Sequence, residues 1–275
     1  MNLATALRQG TELLEKDRLT VPRLTAEVLL AHALGCERAY LYAHPEQELT
    51  GVQQLHFGRY LHERLQHKPT QYITGRQEFY GRLFRVTPAV LIPRPETEHV
   101  AEEALHRAAG VGVVLDVGAG SGCLAITLQA ERPSALVIAS DVSREALAVA
   151  CGNAARLGAP VRFFCGDLLE AVGPESLDLI VSNPPYVPDR ETLPPEVADH
   201  EPRAALFAGP DGMAAYRRLL AEAPRVLRPG GWLVMELGHD SRAKVEALLG
   251  AAWAACAVTA DLAGIDRVMA LRKAG

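Results

Sequence analysis

The chain lacks any Cys-X-X-Cys pair. Its five cysteines (Cys36, Cys123, Cys151, Cys165 and Cys256) are scattered and odd in number, which argues against a disulfide framework and fits reduced thiols in a cytoplasmic protein. No apolar run reaches membrane-spanning length, and the N-terminus carries no uninterrupted apolar core of the signal-peptide kind; a cytoplasmic location is expected. Excess positive charge is missing too. The 28 Lys and Arg face 33 Asp and Glu, for a formal net charge of −5, so there is no global basic footprint for nucleic acid, although a local patch stays open. Lysine itself is scarce, 4 residues against 24 arginines; a GC-rich genome and heat adaptation both account for that bias. Metal-ligand spacing is absent. His62 and His67 flank Glu63 but stand five apart, not four, so they diverge around a helix. His32 and Cys36 have helical i, i+4 spacing without a third ligand. No metal is expected.

What the chain does have is apolar content, 49% of 275 residues, enough to fill the core of one large domain and a small one. Apolar spacing predicts helices over residues 1–70, with Leu3, Leu7 and Leu14 on one face, Leu24, Val28 and Ala31 on another, and Phe57, Leu61 and Leu65 on a third. Thr20-Val21-Pro22 and Thr50 read as helix starts. These stripes predict a small bundle. Residues 71–92 alternate in polarity around Gly75 and Gly81 and predict a β-hairpin linker. From 93 to 275 strands and helices alternate. Strands are expected at 111–116, 135–140, 161–165, 177–182 and 231–237, with Arg228-Pro229-Gly230-Gly231 as a sharp turn into the last. Two late segments, 252–259 and 267–272, close the sheet. The alternation predicts an α/β fold: a doubly wound, mainly parallel sheet with helices on both faces. Ligands then sit at the carboxyl ends of the strands, where Gly118, Asp141, Asp167 and Asn183 all fall.

Asn183-Pro184-Pro185-Tyr186 stands directly behind the strand at 177–182. Proline donates no backbone hydrogen bond and pushes the preceding residue into an extended conformation. Asn183 is thus held stiffly, and its side-chain oxygen and the Pro184 carbonyl are two acceptors for the two N–H donors of a planar –NH2 group. Tyr186 adds a ring face for a flat substrate group. A turn that merely closes a strand is the other reading, because Asn-Pro dipeptides mark turns.

The upstream motif favours the clamp. The strand at 111–116 runs into Val117-Gly118-Ala119-Gly120-Ser121-Gly122, and Cys123 onward reads as a helix. Strand, glycine-rich turn and helix form a nucleotide-type site, in which small residues let a ligand approach the backbone. The G-x-G-x-G spacing puts Cys123 where a dinucleotide fingerprint needs its third small residue, and no Gly-Lys-Ser/Thr follows. A nicotinamide cofactor and a P-loop are both disfavoured. Asp141, at the end of the next strand, can accept from both hydroxyls of a ribose; it can equally be the N-cap of the helix at 144–156. Asp116 is open between a cofactor contact and a structural role at its strand end.

In order, Asp116-Val117-Gly118-Ala119-Gly120-Ser121-Gly122, Asp141 and Asn183-Pro184-Pro185-Tyr186 resemble the motif set of class I S-adenosylmethionine-dependent amino-methyltransferases. Four more stretches narrow this: Phe79-Tyr80-Gly81, Leu91-Ile92-Pro93-Arg94-Pro95-Glu96-Thr97-Glu98, Glu201-Pro202-Arg203-Ala204-Ala205-Leu206 and Gly209-Pro210-Asp211-Gly212. With them the chain resembles the release factor glutamine methyltransferases, which modify the glutamine of the Gly-Gly-Gln loop in class 1 peptide chain release factors. The match runs from about Thr70 to the C-terminus.

That resemblance implies a Rossmann-like methyltransferase domain with an antiparallel final hairpin, and S-adenosylmethionine held by Asp116, Gly118, Ala119, Gly120, Ser121, Gly122, Asp141, Asp167, Leu168 and Asn183. It puts Asp167 near the adenine, with the aliphatic Leu168 where an aromatic side chain could have stacked. Asn183, Pro184 and Tyr186 become the catalytic residues, and with Pro185 they bind the substrate amide. The expected enzyme is a monomer with release factors as protein partners and no nucleic-acid requirement. An adenine-N6 DNA methyltransferase is the near rival, since an adenine amino group offers the same two donors; it has to flip the base and hold the backbone, and no basic DNA-reading domain is evident. An enzyme acting on RNA or ribosomal protein is a smaller alternative. A non-catalytic S-adenosylmethionine sensor has no need of a stiff clamp.

Overall fold

A computed structural model describes residues 1–107, 110 and 112–275. Val111, expected to open the first strand of the large sheet, lies outside the described residues. The chain forms two compact units, Met1–Arg76 with Leu193–His200, and Gln77–Thr192 with Glu201–Gly275.

The first unit holds α1 (Leu3–Lys16), α2 (Pro22–Leu34), α3 (Arg38–Ala43), α4 (Gly51–Leu65) and α5 (Thr70–Thr74). Asn2 caps α1 by accepting from Thr5 N at 2.9 Å. Thr50 and Gln53 form a reciprocal capping box on α4, which satisfies amides that a helix start otherwise leaves unpaired. Leu3, Leu7 and Leu14 are buried as expected, with Phe57 and Leu61. The α2 stripe holds only in part: Ala31 is buried as expected and Val28 half-buried. Leu24 is exposed, and Ala26, Leu29 and Leu30 face the core instead. Apolar residues surround α2, so i, i+3, i+4 spacing fits more than one face. Cys36 lies past Gly35, which ends α2 in the left-handed conformation, so the i, i+4 spacing of His32 and Cys36 is not a helical one. Residues 70–74 are helical rather than extended, and Gly75 stops that turn at φ +72°.

β1 (Arg76–Phe79), whose first residue is the last of Met1–Arg76, and β2 (Arg82–Arg85) make a hairpin, and in the second unit a 3-10 turn at Pro95–Thr97 leads into α6 (Glu98–Arg107). Then follow β3 (Val113–Val117), α7 (Cys123–Glu131), β4 (Leu136–Asp141), α8 (Arg144–Leu157), β5 (Arg162–Cys165) and β6 (Leu177–Ser182). After α9 (Pro195–Ala198), which packs with the first unit, come α10 (Ala214–Val226), β7 (Leu227–Glu236), α11 (Arg242–Glu246), β8 (Trp253–Ala260) and β9 (Asp266–Lys273). The seven-stranded sheet has the order β5-β4-β3-β6-β7-β9-β8. Its first five strands are parallel, and β8 and β9 close it antiparallel.

Period-two alternation splits the strands between two cores. Val114, Val137, Ala139 and Val181 pack with Leu124, Ile126 and Leu128 of α7 on one face. Leu115, Val117, Ile180 and Leu233 pack with Tyr216, Leu219 and Ala223 of α10 on the other. Arg228–Gly231 is not a turn before the strand. It is an irregularity inside β7, where pairing steps from Leu177–Leu227 to Leu179–Trp232 and Gly230 sits at φ +76°. Between those pairs β7 advances from 227 to 232 while β6 advances from 177 to 179, so the chain leaves the ladder and rejoins it, and sequence punctuation alone places the strand's start after that excursion.

Candidate active site

β3 and β6 are neighbours whose onward connections run to opposite sides of the sheet, and a crevice opens at such a point. A cavity of about 380 Å³ lies there, lined from the ends of β3, β4 and β6 and the turn after β5 by Val117, Asp141, Asn183 and Gly166 among others. That size suits a small-molecule site.

The turn after β3 is held by its own backbone. Gly118 N and Ala119 N both donate to Ser140 O at 2.9 Å, and Gly122 N donates to Ala119 O at 2.7 Å. Gly118 and Gly120 sit at φ +78° and +54°, and a Cβ on either would meet open space. Both line the cavity. Gly122 serves packing: at φ +81° its Cβ would stand 3.0 Å from Ile126 Cδ1 and 3.2 Å from Ala150 Cβ. Ala119 and Ser121 also line the cavity, whereas Gly122 does not. From beneath, the buried Asn153 donates to Ser121 O at 2.9 Å and ties the same turn to Arg85 of β2.

Asp116 does not line the cavity. It is 1% exposed, and its Oδ2 accepts from Ala125 N in the first turn of α7 at 3.0 Å. Burial raises its carboxyl to about 7, against the pull of that amide. Its contact is thus with the first turn of a helix, where a side-chain oxygen satisfies an amide that has no partner within the helix. Asp141 faces the cavity. Its Oδ2 accepts from Gly120 N and its Oδ1 from Ser143 N, both at 2.9 Å. It is not the N-cap of α8; Ser143 is, accepting from Ala146 N at 3.1 Å. Each Asp141 oxygen keeps a lone pair for a ligand. Asp167 and Leu168 line the far end, and both oxygens of Asp167 lie 3.0 Å from Arg218 Nη1.

The Asn183 side chain is fixed by residues that the motif alone did not assign. Its Nδ2 donates to Thr97 Oγ1 at 3.0 Å, and Thr97 Oγ1 donates to Glu236 Oε2 at 2.6 Å. Tyr186 OH reaches Glu236 Oε1 at 3.4 Å. Burial raises the Glu236 carboxyl to about 7, opposed by the Thr97 bond. Asn183 and Pro185 line the cavity, while Pro184 is buried and Tyr186 is not among the lining residues. The Tyr186 ring is seated on a small residue: a Cβ on Gly238 would come within 2.7 Å of its Cδ2. Arg94, which lines the cavity, is paired with the buried Glu201, whose other oxygen accepts from Ile92 N at 3.2 Å. The proline-rich stretch before α6 is thereby fastened to Glu201-Pro202-Arg203. Thr97, Glu201 and Arg94 lie in stretches that carry the resemblance, but their partners are far away in sequence. For Glu236 the available signal was a lone acid ending an apolar strand. Among the described residues, no group of three or more His, Cys, Asp or Glu could hold a metal ion, and no helix is long and apolar enough to cross a membrane.

Residues 5–75 match the family model of the PrmC N-terminal domain, and residues 99–199 that of the methyltransferase small domain. The chain is 46% identical over 278 residues to the release factor glutamine methyltransferase of Koribacter versatilis, covering 99% of both chains. It is 42% identical over 275 residues to the Moorella thermoacetica protein of the same description, covering 97% of each. Among solved structures, a methyltransferase from Pyrococcus furiosus superposes with a TM-score of 0.54 at 19% identity, over 72% of this chain and 91% of that one. The 16S rRNA N2 G1207 methyltransferase of Thermus thermophilus gives 0.52 at 21% identity, over 72% and 49%. These two likenesses bear on the fold.

Proposed function

The chain belongs to the release factor glutamine methyltransferases, and from that premise we propose that it methylates the side-chain amide nitrogen of the glutamine in the Gly-Gly-Gln motif of class 1 release factors, with S-adenosylmethionine as donor. The cavity fits that cofactor on its own geometry. The open space before Gly118 and Gly120 lets a ligand approach the backbone, and Asp141 turns two half-used carboxylate oxygens toward ribose hydroxyls. Gly166, Asp167 and Leu168 would border the base, and Asn183 the methyl end. When bound, S-adenosylmethionine supplies a methyl group activated by its sulfonium.

The observation that carries the reading is the orientation of Asn183. Because its Nδ2 is spent on Thr97, its Oδ1 is the end left to accept from a substrate –NH2, with the Pro184 carbonyl as second acceptor. An amide nitrogen is a poor nucleophile, since its lone pair is delocalised into the carbonyl. Two preorganised acceptors on its N–H bonds favour a pyramidal nitrogen as positive charge develops, the cationic counterpart of an oxyanion hole. Fixing both reactants in line adds an entropic advantage. The nitrogen becomes acidic on methylation and then releases its proton, so the clamp needs no strong base. We assign recognition of the protein substrate to the helices of residues 1–70, and a cytoplasmic setting follows from a substrate that works in translation.

Recombinant protein with methyl-labelled S-adenosylmethionine, offered release factor or adenine-containing DNA, tests this. Label should enter release factor alone. Label in the DNA would overturn the reading.

A further inference from the structure

We propose that Thr97 and Glu236 form a positioning relay that sets which end of the Asn183 amide faces the substrate. The inference rests on the reading of Asn183 as the acceptor and explains what enforces it. A primary amide is nearly symmetric in shape, so packing alone does not distinguish Oδ1 from Nδ2. Hydrogen-bond direction does. An ionised carboxylate only accepts. Thr97 has one hydroxyl proton, and with Glu236 Oε2 at 2.6 Å that proton is committed. Thr97 Oγ1 then meets Asn183, 3.0 Å away, with a lone pair, and only Nδ2 can answer it. In the flipped amide two acceptors would face each other.

Thr97 and Glu236 are each 2% exposed, so water does not relieve that mismatch, and an unmet buried polar group is costly. The relay spans three separate parts of the chain: the 3-10 turn at Pro95–Thr97, the end of β7 and the segment after β6. The second Glu236 oxygen takes Tyr186 OH, which joins the last residue of the clamp to the same carboxylate. The Tyr216 hydroxyl is bound to the Glu236 backbone carbonyl at 2.9 Å and fixes where β7 ends. Other charges acting on Glu236 oppose one another, Glu96 favouring the neutral form and Arg267 the ionised one. Protonated Glu236 can donate to Thr97 and free the Thr97 proton for Asn183, which reverses the relay; the test is therefore run well above neutral pH.

Three variants separate direction from shape. Thr97→Ser keeps the hydroxyl and should keep turnover within about threefold. Thr97→Val keeps the shape without the hydroxyl and should lower kcat by about a hundredfold, the order of loss when a reacting group is misplaced. Glu236→Gln presents an amide that can donate to Thr97, so the direction is no longer fixed, and turnover should again fall at least about tenfold. Thr97 borders the cavity, so affinity for S-adenosylmethionine should change, but by much less than turnover in Thr97→Val and Glu236→Gln. The Asn183 side-chain NH2 signals of 15N-labelled protein, assigned by their loss in Asn183→Asp, give a readout apart from activity. They should move in Thr97→Val and Glu236→Gln and stay in Thr97→Ser. Wild-type turnover and unmoved signals in both Thr97→Val and Glu236→Gln, beside an inactive Asn183→Ala, would overturn the relay and leave the clamp standing. An active Asn183→Ala would remove the clamp and the relay together.

Discussion

At the residue scale, two aspartates that end neighbouring strands do different work. Asp141 is half-exposed, with both oxygens aimed by backbone amides of Gly120 and Ser143. Asp141→Ala should weaken S-adenosylmethionine binding by at least about tenfold, since a charge-assisted hydrogen bond is worth roughly 1.5–3 kcal/mol. Calorimetry showing unchanged affinity would reduce Asp141 to a brace for the glycine turn. Asp116 is buried, and its carboxyl is raised from 3.8 to about 7. The folded state therefore holds a proton that the unfolded state has already released between those two values. Where the folded state binds more protons, stability falls as pH rises. The Asp116 contribution is thus present in full below about 4 and lost as pH climbs to about 7. Glu236, raised to about 7, adds a slope of the same sign. Urea denaturation across that range should show a shallower slope for Asp116→Asn than for the wild type. Equal slopes would mean that Asp116 is not protonated on burial.

At the element scale, glycine marks where helices touch. Gly10 of α1 would place a Cβ 2.7 Å from Phe57 Cζ of α4, whereas Gly58, exposed on the same α4, would meet nothing within 4 Å. Gly10→Ala should cost roughly 1–3 kcal/mol by overpacking. Gly58→Ala should gain about 0.5–1 kcal/mol from helix propensity alone. Thermal unfolding of the pair checks this, and a stabilised Gly10→Ala would show that α1 and α4 are looser than described. The same contrast explains what the sequence made legible. β6 was readable to the residue, because a short apolar run bounded by turn chemistry has one solution. The α2 face was not, since apolar residues surround that helix, and β7 hid its irregularity behind Arg228-Pro229-Gly230-Gly231. The glycine turn, Asp141 and Asn183 were legible because each sits where its own strand ends. The Thr97–Glu236 pairing was not, because it joins residues 139 apart and carries no local pattern.

At the scale of the whole molecule, Leu193–His200 follows the clamp in sequence yet belongs to the unit of the N-terminal helices. Glu196 meets Arg64 Nη2 at 2.6 Å, and His200 Nε2 lies 3.1 Å from Gln66 O. Every residue lining the cavity falls between Ala89 and Arg218, so the proposed division of labour gives the cofactor to one unit and the protein substrate to the other. Deleting residues 1–70 should leave S-adenosylmethionine affinity within about threefold if the remainder folds, and lower release factor affinity at least about tenfold. Equal loss of both would make the helices a structural support.

In the proposed mechanism a stiff pair of acceptors selects a side-chain amide of one length. Glutamine and asparagine differ by one methylene, worth roughly 1–3 kcal/mol in a fitted pocket, and a nitrogen misplaced by about 1 Å can cost around a hundredfold in rate. Glutamate has the length but turns acceptors toward acceptors. Tandem mass spectrometry of release factor carrying Gly-Gly-Gln, Gly-Gly-Asn or Gly-Gly-Glu, after incubation with the enzyme and S-adenosylmethionine, measures all of this at once. A methyl group is expected on the glutamine amide nitrogen, with little or none on asparagine and none on glutamate; methylation of the asparagine form at the glutamine rate, or of glutamate at all, would show that the clamp does not measure length.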